Sequence, residues 1–335
     1  MSFIHLHVHS QYSFLDGASS LDRLLGKAKA LNMPALALTD HNRLTGAVRF
    51  YEKAKALGIK PIVGAEVTLD GGYHLTLLCK DKKGYSNLCR LLTEAHLSNR
   101  GGKPQASKEM LQKNSDGLIA LSGCSRGELP LLIGKGKAEQ AKQAADFYRG
   151  IFGEDFLVEL TRYPCREGIS ESYRLISFAK EECIPVVATN NVHYTEMEEY
   201  RVKELLNAID QNIVVSQLPG YRTVEQYLKS PREMAVLFRD LPEAIARTEE
   251  ITSQCNLELE MGKLHFPRFD IPEGETDYGY LTRVAQEGAL RKYGRITPRI
   301  RNRLEQELIT IRKLGFCGYF LVVWDIVRWA KEHGI

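Results

Sequence analysis

The sequence alternates short apolar runs with amphipathic helical patterns, and this alternation limits the possible folds more than any other feature. Residues 35–39 and 61–67 are apolar runs of strand length, and helical patterns cover residues 21–31 and 45–57. An apolar run of about four to eight residues between turn residues is typical of a buried strand in a parallel sheet. The β-α-β-α-β order therefore predicts an α/β fold, either an open doubly wound sheet or a barrel.

Later segments continue the same alternation. Strand patterns cover residues 73–79, 117–121, 156–160 and 184–189, and helical patterns cover 84–97, 137–152 and 170–182. With the apolar stretch at residues 3–10, about seven strand patterns are present, which favours a closed or nearly closed barrel over an open sheet. In either architecture the functional side chains gather at the carboxyl ends of the strands.

The stretch Phe3–Ser10 places histidines at every second position, namely His5, His7 and His9. Side chains of a strand alternate between its two faces, so these imidazoles point the same way. Imidazole is the commonest metal ligand among side chains. A single histidine here would be interpreted as a cap or a core hydrogen-bonding group, but a triplet favours a metal site.

More residues with ligand chemistry follow the later strand patterns. Asp40 and His41 come directly after the second strand pattern, and Glu66 lies near the end of the third. The segments after residues 121 and 189 supply Cys124 and His193. Because strand ends meet at one edge of such a sheet, we expect these donors to converge.

Composition excludes several classes of protein. The 335 residues are 44% hydrophobic and 26% charged, which is ordinary for a soluble globular protein, and the net charge of +3 is too small to indicate nucleic-acid binding by itself. No run approaches the roughly 18 apolar residues of a membrane span, and no signal peptide is evident, so we expect a cytoplasmic location without a membrane partner. The seven cysteines form no CxxC pair, which argues against a disulfide framework.

The last third of the sequence turns helical. Helical patterns cover residues 197–209, 230–238 and 241–255, and, beyond a Pro-rich segment without helical period, residues 278–293, 298–314 and 319–333. We expect a barrel with a helical extension at 1–265, a linker at 266–275 and a mainly helical piece at 276–335. The aromatic face of the last helix needs a partner surface, so the chain looks like part of something larger.

Several phrases resemble the polymerase and histidinol phosphatase (PHP) superfamily, and more closely the N-terminal part of the alpha-subunit family of bacterial DNA polymerase III. They are HLHVHSQYSFLDG, MPALALTDHNRLTGAVRFYEKAKALGIKPIVGAEV, LIALSGCSRGEL, ATNNVHY and FCGYFLVVWDIVRWAKEHGI. The resemblance implies a distorted (β/α)7 PHP barrel, followed by the start of a polymerase palm that lacks its active site. These residues alone are therefore not expected to polymerise DNA.

The resemblance also implies a metal centre of up to three zinc or manganese ions and a phosphoesterase activity, reported in related chains as 3′-5′ exonuclease proofreading. Carried over by position, the ligands would be His7, His9, Asp16, His41, Glu66, His96, Cys124, Asn191 and His193. We expect His9, Glu66 and His193 to take the catalytic roles. Mixed nitrogen, oxygen and sulfur donors suit ions such as Zn²⁺ and Mn²⁺.

Other residues near these motifs have alternative interpretations. Asp40 is expected to orient a ligand histidine rather than bind an ion. Arg126 is either a phosphate contact or a surface salt bridge, and His96 and Cys124 taken alone would be a helix cap and a buried small residue. His5 has no assigned role, and His74, His265 and His333 are interpreted as incidental.

Asn191 departs from the family, which normally has aspartate at this position. An amide oxygen can coordinate a cation but brings no negative charge, so one ion should be held more weakly.

Two functions are considered for the chain: a nuclease acting on DNA 3′ ends, or a metal-binding structural module that stabilises the polymerase and docks a proofreading subunit. A small-molecule phosphatase is disfavoured by the palm-like helices. DNA, the remainder of the polymerase chain and other replisome subunits are the expected partners.

Overall fold

The computed structural model describes residues 3–99, 102–218, 224–262 and 266–335, so His265 lies outside the described residues. The chain divides into two compact units, Met1–Leu259 and Glu260–Ile335. The boundary therefore falls a few residues before the linker that the sequence predicts, and residues 266–276 form neither helix nor strand.

The first unit is built on a six-stranded sheet whose strands follow one another in chain order. The strands are β1 (Ala35–Leu38), β2 (Lys60–Leu69), β3 (Tyr73–Cys79), β4 (Leu118–Leu121), β5 (Phe156–Thr161) and β6 (Val186–Thr189). The pairs β1–β2, β4–β5 and β5–β6 are parallel, as the sequence predicts. Strand β3, however, is antiparallel to both of its neighbours. The connection Asp70–Gly72 is far too short for a crossover, so β3 must turn back along β2.

The N-terminal histidine stretch lies between the two edges of this sheet. On one side, the amides of Ala37 and Thr39 donate to the carbonyls of His5 and Val8. On the other, Val8 bridges Val192 in parallel, just beyond β6. The stretch is not a regular strand, but it joins β1 to the segment after β6. The chain thus forms the distorted barrel that the sequence predicts, with an irregular seventh member.

Helices surround this sheet, and most of them match the helical patterns of the sequence. They are α1 (Leu21–Ala30), α2 (Ala47–Ala56), α3 (Lys82–Ser98), α4 (Lys108–Lys113), α5 (Glu128–Gly134), α6 (Ala138–Phe152), α7 (Arg166–Glu181), α8 (Tyr200–Gln211), α9 (Pro231–Leu237) and α10 (Pro242–Gln254). Ser20 begins α1 by accepting a hydrogen bond from the Arg23 amide, an arrangement that satisfies one of the free N–H groups of the first turn. The sequence patterns did not predict the short helices α4 and α5.

The second unit contains α11 (Asp277–Tyr293), α12 (Pro298–Lys313) and α13 (Cys317–Glu332), as the helical patterns predict. Leu281, Leu308, Cys317 and Leu321 form its small core. Large apolar side chains of α13, including Ile326 and Trp329, are exposed. Among the residues described, no helix has both the length and the hydrophobicity needed to cross a bilayer.

Candidate metal centre

The side chain of Glu66 on β2 is the hub of the candidate site. Its Oε1 lies 3.3 Å from Nε2 of His7 and 3.0 Å from Nδ1 of His74, and its Oε2 lies 2.8 Å from Nδ1 of His41 and 3.8 Å from Nε2 of His9. Glu66 is 2% exposed, so this carboxylate is surrounded by imidazoles instead of water. Four separate segments of the barrel supply these side chains.

Among the residues that the structure describes, three overlapping groups of donors could each hold an ion, and within each group the ligand atoms lie within 4.8 Å of one another. They are His7–His9–Glu66, His41–Glu66–His74 and His9–Asp16–His193. Glu66 belongs to two of the groups and so does His9, which places the groups side by side. Nitrogen and carboxylate donors in this number and spacing fit zinc or manganese.

The third group forms where the loop after the histidine stretch meets the segment after β6. Nε2 of His193 lies 3.1 Å from Oδ2 of Asp16, and its ring stacks on that of His9 with 4.4 Å between centroids. The Ala18 amide donates to the carbonyl of His193, which holds the two segments together. The group therefore depends on the contact between the two ends of the barrel sequence.

Hydrogen bonds on the outer side of His7 and His9 direct one nitrogen of each ring towards the centre. Nδ1 of His7 lies 2.6 Å from Oε1 of Glu159, and a carboxylate can only accept, so Nδ1 carries the proton. Nδ1 of His9 lies 2.9 Å from the Ser13 hydroxyl, which itself lies 2.8 Å from Asp40 and can donate to it. In the neutral rings the Nε2 lone pairs then face the centre, as metal ligation requires.

The same arrangement recurs at His193 and His41. Nδ1 of His193 donates to the backbone carbonyl of Asn191 over 2.8 Å, so its Nε2 lone pair faces Asp16 when the ring is neutral. Nε2 of His41 lies 2.7 Å from the Thr68 hydroxyl, so the other ring nitrogen, Nδ1, faces Glu66. Each of these histidines is therefore held in orientation by a partner outside the donor groups.

The charges of the centre favour a cation. Burial alone would lower the pKa of His7, but the carboxylates of Glu159 and Glu66 raise that pKa to about 10. Burial alone would raise the pKa of Glu66, yet the adjacent His74, His41 and His7 hold it well below its ordinary value. In the metal-free protein, a proton on His7 therefore provides positive charge beside Glu66. A bound ion would take over that charge and release the proton.

Burial lowers the pKa of His9 and of His193, so both rings are neutral near pH 7 and able to bind a metal.

Cys124 follows β4, and its Sγ lies 3.5 Å from Oε1 of Glu66. Burial and the carboxylates of Glu66 and Glu159 raise the pKa of the thiol well above its usual range. Without an ion, Cys124 therefore remains a neutral thiol that donates to Glu66.

Two glycines allow the backbone approaches that bring these ligands together. A Cβ on Gly17 would lie 2.0 Å from the carbonyl oxygen of Ser10, so only glycine lets the loop fold back next to Asp16. Gly123 has a φ of +82°, and a Cβ there would lie 2.2 Å from the carbonyl oxygen of His74. Steric contacts therefore explain why a glycine follows Asp16 and why a glycine precedes Cys124.

The remaining predicted residues lie around the groups. The structure does not bring His96 into any of them: its side chain is exposed at the end of α3, and Nε2 is 2.9 Å from the carbonyl oxygen of Asn42. Asn191 is buried with a φ of +44°, and its Oδ1 is one of the few buried polar atoms without a hydrogen-bond partner in the described chain. Asp40 is buried and accepts hydrogen bonds from Ser10 and Ser13. Arg126 is exposed.

Sequence reasoning missed two members of the site. His74, set aside as incidental, lies beside Glu66, and Glu159 on β5 contacts His7, Thr76 and Thr189. A signal was present for both. His74 and Thr76 alternate on β3 as His7 and His9 do near the N-terminus, and Glu159 is a carboxylate within an apolar strand. A buried charge of this kind needs a partner.

Replacing Glu159 with glutamine should weaken metal binding without removing a ligand. The amide cannot accept as strongly from Nδ1 of His7, so ring orientation and ligand basicity both suffer, and we expect affinity to fall by about 10–100-fold. Titration calorimetry with Mn²⁺ measures the change. Glu128→Gln is the matched control, because Glu128 also accepts from a buried partner, Tyr148, outside the donor groups. Equal affinities of the two variants would contradict the role of Glu159.

Two segments of the chain match known protein families. Residues 5–163 match the family described as PHP domain, and residues 279–335 match the family described as bacterial DNA polymerase III alpha NTPase domain. The chain is 45% identical to the error-prone DNA polymerase of Symbiobacterium thermophilum, across 100% of this chain and 32% of that protein. It is 38% identical to DNA polymerase III subunit alpha of Treponema pallidum, across 100% of this chain and 30% of that protein.

Among solved structures, an amidohydrolase from Chromobacterium violaceum with bound sulfate is similar, with 18% identity and a TM-score of 0.43, over 57% of this chain and 88% of that chain. The chain spans about a third of the length of the curated relatives it matches. The two family matches confirm the resemblance seen in the sequence: the chain contains a PHP domain together with a segment of the bacterial DNA polymerase III alpha family.

Proposed function

We propose that the PHP domain of this chain hydrolyses phosphodiesters at the 3′ end of a DNA strand, using zinc or manganese ions held by the three donor groups. The observation that carries the proposal is the convergence of His7, His9, His41 and His74 on the carboxylate of Glu66. Burying this many potential ligand atoms costs free energy unless a cation binds to them. Hydrogen bonds already hold the outer ring nitrogens, so the inner nitrogens are oriented to bind such a cation.

Bound divalent ions would lower the pKa of a water molecule towards neutrality and offset the charge that develops on the phosphate and the leaving oxygen. The protein's own part is to fix the geometry. His9 and Glu66 each belong to two donor groups and so would hold neighbouring ions, while His193 presents its Nε2 lone pair at the third donor group. We assign the catalytic roles to these three residues.

Positive charge near the centre would orient the DNA backbone. Arg126, two residues after Cys124 and exposed, is the proposed phosphate contact. The ions themselves attract phosphate, so the low net charge of +3 is compatible with a nucleic-acid substrate. We propose that the domain acts within a replicative polymerase, whose remaining chain and other replisome subunits are its partners.

A second candidate function is supported by the third donor group. There a lysine ammonium contacts Asp16, so the group attracts a cation less strongly than the other two. Asn191, which the resemblance assigns as a further ligand, would bring an amide without negative charge. In this alternative the domain turns over slowly, and its ions mainly stabilise the polymerase and the surface that docks a separate proofreading subunit.

A nuclease assay separates the two candidates. With a 5′-labelled single-stranded oligonucleotide and Mn²⁺, the proposed exonuclease should yield a ladder of products shortened stepwise from the 3′ end, and a 3′-labelled strand should release a labelled mononucleotide first. A chelator should stop both. Full activity in metal-free protein, or shortening from the 5′ end, would contradict the proposal. Absence of products together with chelator-sensitive melting would favour the structural module.

A further inference from the structure

A lysine lies at the edge of the third donor group. Lys203, in the first turn of α8, places Nζ 2.5 Å from Oδ1 and 3.5 Å from the backbone oxygen of Asp16. The other carboxylate oxygen of Asp16 faces Nε2 of His193 at 3.1 Å. Asp16 is therefore held between an ammonium group and a histidine that could bind a metal.

This contact differs from an ordinary surface ion pair. The side chain of Lys203 is only 12% exposed, whereas that of Lys103, which pairs with Asp210, is 80% exposed. An exposed pair exchanges readily with water and contributes little. The ammonium of Lys203 is enclosed by protein, so it has less access to water than the ammonium of Lys103 and is held beside Asp16.

The charge balance of the third group is unusual as well. Of its three donors, His9, Asp16 and His193, only Asp16 is a carboxylate. Asp16 is then the single negative charge, and Lys203 neutralises it. The other two groups share Glu66, which has no lysine or arginine partner among the ion pairs of the described residues.

We propose that Lys203 is a built-in cation of this centre, whose ammonium takes the place of a divalent ion at the His9–Asp16–His193 group. The chain then holds two ions tightly, at the groups that share Glu66, and a third one weakly. This inference rests on the proposed metal-dependent function, and it concerns the number of ions rather than the reaction.

Counting bound ions in the wild-type chain and in Lys203→Met tests the inference. After equilibration with Mn²⁺ and removal of free ion, elemental analysis should give two ions per wild-type chain and three per variant. Titration calorimetry should show third-site affinity at least about 10-fold higher in Lys203→Met, because a fixed positive charge has gone. Lys203→Arg should keep two ions. Lys103→Met, which removes a lysine from an exposed pair, is the matched control and should also keep two.

Lys203→Gln provides a second test should the methionine variant fail to fold, and it should also bind a third ion. Three ions of similar affinity in the wild-type chain would overturn the inference, as would two ions in folded Lys203→Met or Lys203→Gln. Both of these results leave the proposed hydrolysis intact. Absence of bound ions from the wild-type chain and from every variant would overturn the metal-dependent function together with the inference.

Discussion

Replacing Glu66 with glutamine should abolish tight metal binding at two of the three donor groups and, with it, phosphodiester hydrolysis. The carboxylate lies within 4 Å of ring nitrogens from His7, His9, His41 and His74, so both groups lose their only negative charge at once. Because changes in residues that merely orient a ligand cost about 10–100-fold in affinity, loss of a shared ligand should cost at least about 100-fold. Hydrolysis should fall at least as much.

Elemental analysis and the nuclease assay measure the two effects in the same preparation. Glu128→Gln, which changes a largely buried glutamate on α5, should leave both unchanged. A Glu66→Gln chain that still bound two ions and cut DNA at the wild-type rate would show that the ions, and the chemistry, lie elsewhere.

Removing the ions should lower the melting temperature of the PHP domain by about 10–20 °C. An ion present at about 100 times its dissociation constant stabilises the folded state by about 2.7 kcal/mol, so two ions supply about 5 kcal/mol. For a domain of this size each kcal/mol shifts the melting temperature by about 2–4 °C.

Circular dichroism melts with Mn²⁺ and with a chelator measure the shift, and the Glu66→Gln chain provides the reference, since it should respond little to either addition. Equal melting temperatures for the wild-type chain in both conditions would count against a metal centre. The melts alone do not distinguish an exonuclease from a structural module, because both functions require bound ions; only the nuclease assay does.

Much of this site follows from local sequence patterns. The alternation of His5, His7 and His9 and the position of Glu66 near the end of an apolar run required no tertiary information. Parallel pairing of β1 with β2 then brings the segment after β1 next to β2, where His41 and Glu66 form a bridge. For these residues, strand periodicity and the rule that functional groups gather at strand ends were sufficient.

The orientation of β3 explains what sequence reasoning missed. If β3 were parallel to β2, residue 74 at its start would lie at the far end of the barrel from Glu66. Because the strand is antiparallel, its first residues lie beside the end of β2, and Thr68 pairs with His74. Only the shortness of the Asp70–Gly72 turn signals this reversal. The position of His96 depends on where α3 ends against the loop at Asn42, a tertiary contact that no local pattern specifies.

Crystallography of the chain soaked with Mn²⁺ or Zn²⁺, with anomalous data collected at each absorption edge, tests the central claim most directly. The account predicts two strong peaks that share Glu66, one bound by His7 and His9 and the other by His41 and His74, with zinc–nitrogen distances of about 2.0–2.1 Å. A map with no peak within bonding distance of the Glu66 carboxylate would contradict the account.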